Sequence, residues 1–278
     1  MSDVTLSSTP FRFPTLPQIF RGEPLLAATG LMMFWLMLPT LAAALLDPRQ
    51  LLGVSVWDKP LKFQLALGVY LLTLSVFANW LPAGFVTGRR YRLYAGSVVV
   101  AVGLEMAWLM GAAALGIASH FNTTDIGAMI YRSMGGLAVW LTSVSLVYAV
   151  VIARRGRDFG NPALREGIVL GLGLVLPLTL ITAGFMSAFG SHFVGGVASD
   201  ADGLWLMGWA RHGGDLRVAH FFATHALHVV PALALVAAAV FGKTRRWPVR
   251  IGAALFVGFV VYTFVEALLG RPFLGFIG

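Results

Sequence analysis

At 278 residues the chain is long enough for one or two soluble domains, yet its composition excludes a soluble fold. Hydrophobic residues make up 58% and charged residues 12%; the charged share is about half the roughly 25% of soluble proteins, too little to cover a water-facing surface. No collagen repeat, heptad or polar bias is present, and without cysteine there is no disulfide, thiolate metal site, iron–sulfur cluster or cysteine nucleophile. The composition predicts an all-α, polytopic membrane protein.

In chain order, residues 1–23 lack the basic start and apolar run of a signal peptide. Pro10, Pro14, Pro17 and Pro24 predict an extended amino-terminal arm. A spanning helix needs roughly 20 apolar residues to cover about 30 Å of hydrocarbon. Seven stretches qualify: Pro24–Leu46, Pro60–Leu81, Leu93–Ser119, Ile126–Ala153, Gly167–Gly190, Val218–Phe241 and Ile251–Leu269. No linker divides them, so residues 24–278 form a single seven-helix domain.

Basic residues collect in the connections after spans two, four and six. Arg89, Arg90 and Arg92 follow the second, Arg154, Arg155, Arg157 and Arg165 the fourth, and Lys243, Arg245, Arg246 and Arg250 the sixth. The opposite loops hold as many acids as bases. This asymmetry predicts a cytoplasmic amino terminus and an outside carboxyl terminus. It also explains the net charge of +8 by basic loops facing anionic lipid, which argues against a nucleic-acid partner.

The histidines, at 120, 192, 212, 220, 225 and 228, all fall in the outer half. Ser119-His120-Phe121, Ser191-His192-Phe193 and Ala219-His220-Phe221 repeat a similar local setting at the outer boundary. Span six concentrates them. At 100° per residue His220, Thr224 and His228 share about 80° of arc, which His225 widens to about 140°. Pro231 lies on the same stripe, leaves the Leu227 carbonyl without its helical donor and predicts a bend. Such a stripe is costly in lipid and is expected to face the bundle interior. Helix-to-helix hydrogen bonding alone is the plainer account of any one of these residues.

Two acids complete a candidate site. Glu105 lies mid-span, and fifteen residues separate it from His120, an offset of about 60° that lets both face one groove. Glu266 lies near the outer end of span seven, at the depth of His220. Arg132, about two turns into span four, needs an anion such as Asp125 or Glu266. Lys59 and Lys62 are expected to snorkel to the interface, and Thr124 or Asp125 to cap span four. The long connection from Ser191 to Asp215, with Trp205, Trp209 and Arg211-His212, suggests a lid or an interfacial segment. Gly167 and Gly171 suit close helix packing and not dinucleotide binding, because no strand precedes them. No Walker sequence, nucleophile elbow or His-Glu-x-x-His motif is present, and span seven has no lysine for a retinal Schiff base.

The segments Lys59-Pro60-Leu61-Lys62-Phe63, Ser119-His120-Phe121-Asn122 and Asp215-Leu216-Arg217 through His220-Phe221 to His225-Ala226-Leu227 resemble those of uncharacterised bacterial multi-span membrane proteins with no assigned activity. That resemblance covers much of the chain and implies a bacterial cytoplasmic (inner) membrane. A more distant chemical similarity is to the seven-span zinc hydrolases of the alkaline ceramidase and adiponectin receptor type. Those place a His-x-x-x-His pair on the last span, whereas His225-x-x-His228 here lies on span six.

Three readings follow. A metal- or haem-dependent enzyme or redox protein, acting on a hydrophobic or lipid-like substrate, would hold zinc or iron with His120, His220, His225 and Glu266, with Glu266, Glu105 and Arg132 as catalytic groups. Haem would instead take His120 and His220 as axial ligands. A proton-coupled transporter or channel would use Glu105 and the span-six histidines. A scaffold subunit of a membrane complex would use its polar residues only to pack helices.

Overall fold

The computed structural model describes residues 15–157, 160–204 and 207–275. Most of the amino-terminal arm and Trp205 therefore lie outside the described residues. What is described of the arm departs from an extended strand: Leu16–Gly22 form a short helix, α1. The Gln18 side chain accepts from the Thr15 N–H at 2.7 Å, and Pro17 stands in the first turn, where a missing N–H costs nothing.

The bundle follows: α2 (Pro24–Leu46), α3 (Asp58–Phe77, extended by a 3-10 turn over Ala78–Trp80), α4 (Arg89–Leu115), α5 (Asp125–Arg155) and α6 (Pro162–Phe189). A broken pair, α7 (Leu216–Thr224) and α8 (Ala226–Phe241), precedes α9 (Trp247–Leu268). Among the described residues six helices are long and apolar enough to cross a membrane, and α7 with α8, bent by 58°, makes a seventh if the pair is one span. The protein is an all-α polytopic membrane bundle. Its only strands among the described residues are two short hairpin pairs, β1 (Gln50–Leu51) with β2 (Val54–Ser55), and β3 (Phe193–Val194) with β4 (Gly214–Asp215).

Caps mark the helix ends where the sequence carries them. Thr124 accepts from the Gly127 N–H, Asn161 from Leu164 and Asp215 from Arg217. Gly116 and Gly190 close α4 and α6 in the left-handed conformation, which costs glycine little. Leu26, Met33, Leu71, Leu109, Tyr148, Ile168 and Leu227 are fully or almost fully buried between helices. Trp35, Leu46, Leu93, Ile126, Val240 and Leu255 point outward, which makes the outer surface apolar, as a bilayer demands.

The bend in the sixth crossing is not at Pro231, which sits inside α8. It falls at His225, six residues earlier. There the His225 ring Nδ1 lies 2.7 Å from the Phe221 carbonyl, so the side chain competes for an acceptor that the helical ladder would use. Behind the break, α6 comes as close to α8 as glycine allows. A Cβ on Gly171 would stand 2.8 Å from the Ala226 carbonyl oxygen and 2.8 Å from Pro231 Cδ, and one on Gly167 would stand 2.3 Å from Ala234 Cβ. These two glycines are packing residues, as their spacing suggests.

Gly171→Val is expected to destabilise the detergent-solubilised protein by about 1–3 kcal/mol through overpacking. Gly173→Ala, whose Cβ would meet only Ala149 at 3.7 Å, should change stability by about 0.5 kcal/mol or less. Thermal melts of the two variants provide the check.

Candidate functional site

Opposite the face that carries most of the basic loops, residues 191–215 fold back over the helix ends. The Asp200 N–H donates to the Leu52 carbonyl and the Leu216 N–H to the His192 carbonyl, both at 2.9 Å. Lys62 reaches the Met207 carbonyl at 3.2 Å and Asp58 at 2.7 Å. The anchor is Asp215, whose side chain is fully buried. It accepts from the Ala210 N–H at 2.9 Å and from the Arg217 guanidinium at 2.6 Å. Arg217 also donates to Asp200 at 2.6 Å and to the Gly208 carbonyl at 2.9 Å. Burial alone raises the Asp200 carboxyl, but His192 and Arg217 outweigh it and hold it below its ordinary value.

Beneath this cover the imidazoles form a row. His120 lies within electrostatic reach of Lys59, His220 and His192, His220 of His225, and His225 of His228. His120 is turned inward by Phe121, which adopts a left-handed backbone with φ 54°. That conformation is costly for a bulky residue. The Phe121 ring rests against Tyr131 at 5.4 Å and His192 at 6.0 Å between centroids. Burial, reinforced by Lys59, His220 and His192, holds His120 well below the ordinary imidazole value of 6.5.

Hydrogen bonding assigns the tautomers. The Thr182 hydroxyl donates to the Leu178 carbonyl at 2.9 Å, so its oxygen is left to accept from His220 Nδ1 at 3.3 Å. The Thr73 hydroxyl donates to Val69 at 2.8 Å and accepts from His228 Nε2 at 2.9 Å. His225 Nδ1–H donates to the Phe221 carbonyl. Each neutral ring therefore keeps one bare nitrogen: Nε2 of His220, Nε2 of His225 and Nδ1 of His228. His228 Nδ1 is buried and has no hydrogen-bond partner. The His225 and His228 rings stand 5.3 Å apart.

A second polar line runs from the middle of the bundle toward the basic face. Tyr70, one turn from Thr73 on the same side of α3, lies 3.2 Å through its hydroxyl from the Leu141 carbonyl and within reach of Tyr148. The Tyr148 and Tyr91 hydroxyls are 2.6 Å apart, and both rings lie within electrostatic reach of Glu23. Glu23 is 4% exposed and caps α2 through the Leu26 N–H.

Not all of the residues expected at the site are there. His120, His220 and His225 belong to the row. Glu266 does not: it pairs with Arg271 at 3.1 Å and lines a cavity of about 270 Å3 with Asp215, Tyr262 and Phe273 that no described histidine lines. Arg132 is exposed and pairs with neither Asp125 nor Glu266 among the described residues. Asp125 is on its side of α5 but about 10 Å away along the axis. Glu105 is buried with Oε1 unpartnered, and no ion pair joins it to the row among the described residues. Lys59 does not snorkel outward; it lies within reach of Arg217, Asp200 and His120. Sequence reasoning missed Asp200, Arg217, Thr73, Thr182 and the tyrosine line. The run Asp215-Leu216-Arg217 was the one signal available, as a capping acid beside a base.

The donors as arranged do not fit a zinc or iron centre. Among the described residues no three His, Asp or Glu side chains are grouped to hold a metal ion. Comparison with protein-family models, with curated proteins and with solved structures finds no match.

Two measurements test this geometry. In the unfolded chain His120 takes a proton near pH 6.5, while the folded chain resists it. Its stabilising contribution is therefore complete above that value and is lost as the pH falls below it. The melting temperature is expected to fall between about pH 7 and pH 5, and the slope should flatten in His120→Asn. Arg217→Gln leaves the Asp215 carboxylate buried and unpaired, a loss of about 3 kcal/mol that should appear as a large drop in melting temperature at pH 7.

Proposed function

We propose that the protein moves protons through the bilayer along this row, as a proton-coupled transporter or channel. The observation that carries the reading is the His225–His228 pair at the helix break. Each ring keeps one nitrogen lone pair that no described donor uses, and the two rings are direct neighbours, 5.3 Å apart between centroids. An imidazole that accepts a proton on one nitrogen releases another from the opposite nitrogen, so the row passes charge without moving a side chain far.

Further support comes from what stands at either end. The Lys59, Asp200 and Arg217 cluster gives the histidine face a charged mouth. The Tyr148–Tyr91 pair and Glu23 continue the polar line toward the basic face, with Thr73 and Tyr70 as the link between the two halves. The surplus of arginine and lysine on that face supports its placement on the cytoplasmic side. Ionisable groups inside a membrane bundle are costly and mark such pathways. A break in a spanning helix is a frequent companion of them in transporters.

The test is proton flux into liposomes that carry the full chain, driven by a potassium diffusion potential and read with an internal pH dye. Wild type should acidify the lumen, and His228→Phe should reduce the flux at least about tenfold, toward the leak of empty liposomes. Glu105→Gln, outside the row, should keep most of it. Each variant is first shown to match wild type in melting temperature and elution volume. Absence of flux in wild type, or equal flux in His228→Phe, would sink the proposal.

A further inference from the structure

At the basic face, α1 ends hard against α3. A Cβ on Gly22 would stand 2.0 Å from the Ser75 carbonyl oxygen and 2.8 Å from Asn79 Nδ2, so only glycine allows this approach. The next residue locks it: the Ser75 hydroxyl donates to the Glu23 carbonyl at 2.8 Å. The contact sets Arg21 at the edge of a cavity of about 160 Å3. Arg157 also lines it, its backbone N–H donating to the Trp80 carbonyl at 2.8 Å. Asn79 and the Ala83–Gly84 turn complete the wall, and no acidic residue is among the described residues that line it.

Some arginines of this face are already engaged. Arg250 takes Glu166 at 2.7 Å and Arg246 lies 3.9 Å from it. Arg165 donates to the Ile152 carbonyl at 2.6 Å. Neither Arg21 nor Arg157 has a side-chain partner among the described residues. Two arginines that line one small cavity from separate segments, with no acidic residue in its described lining, can supply one tetrahedral oxyanion with paired N–H donors.

We propose that this cavity binds a phosphate group, presented by the headgroup of a membrane lipid or free in solution. The cavity lies at the ends of spanning helices, at the level where lipid phosphates stand, and on the face where the basic loops collect. The site is separate from the imidazole row, and its test does not depend on proton flux.

The experiment uses the purified full chain and two probes. Native mass spectrometry counts phosphatidylglycerol retained after delipidation and titration, and thermal melts follow the response to inorganic phosphate at constant ionic strength. Wild type should bind one phosphatidylglycerol, or be stabilised by phosphate, and Arg21→Gln with Arg157→Gln should weaken that binding at least about tenfold. Retention of phosphatidylglycerol with no phosphate response assigns the group to a lipid; a phosphate response without lipid retention assigns it to a free anion. Arg89→Gln with Arg90→Gln, on the same face but outside the cavity, should leave binding unchanged. If the cavity variant does not fold, Arg21→Lys with Arg157→Lys, which keeps both charges and loses the paired donors, replaces it with the same expected loss. Binding of neither probe to wild type, or equal binding by wild type and the cavity variant, overturns the proposal.

Discussion

The close approach of α6 to α8 at Gly167 and Gly171 is the contact on which the site's arrangement depends. Without side chains at these positions, the backbones meet where Ala226, Pro231 and Ala234 lie. That seating brings α7 back across α6 and places His220 against Thr182. It also supports a helix break in the middle of a bundle. A broken helix in lipid leaves backbone groups unpaired unless protein surrounds them. Here Ala226, Leu227 and Val230 beyond the break are fully buried, and the Phe221 carbonyl at the break accepts from both the backbone N–H and the ring of His225.

A second constraint acts on the imidazoles themselves. A threonine in a membrane helix returns its hydroxyl proton to the carbonyl of the preceding turn, and its oxygen remains as an acceptor. Thr73 and Thr182 both do so, toward Val69 and Leu178. Each thereby chooses which nitrogen of its histidine carries the proton, and leaves the other bare. The ion pairs under the 191–215 cover follow a different logic. Asp215 has no exposure of its own, so Arg217 and the Ala210 N–H must satisfy it. A charge buried that fully is tolerated only when paired and hydrogen-bonded.

Much of this was legible from residue order. The crossings follow from hydrophobic length, the packing role of Gly167 and Gly171 from their four-residue spacing, and the convergence of His120 with His220 from their common depth at opposite ends of different spans. The Thr124 cap was legible for the same reason: it depends only on neighbours a few residues away. The failures are of another kind. Pro231 is a known breaker, yet the break is at His225, because a side chain close to a carbonyl in space decided it. Glu266 has the depth of His220, but Arg271 five residues on takes it up. Arg132 and Asp125 share a side of α5 but not a level along it. The tyrosine line joins α3, α4 and α5, and no spacing within one segment points to it.

Residue order alone therefore determined that the chain crosses a bilayer, where it does so, which loops are basic and on which half the histidines stand. Those properties are sums over local segments, and hydrophobic transfer and charge act on each segment separately. Only the tertiary structure decided which polar atoms meet: Thr73 with His228, Thr182 with His220, Asp215 with Arg217, Tyr91 with Tyr148. Such pairs are set by rotation and sliding of one helix on another. Those degrees of freedom are governed by the packing of small residues between helices, and a linear pattern does not encode them.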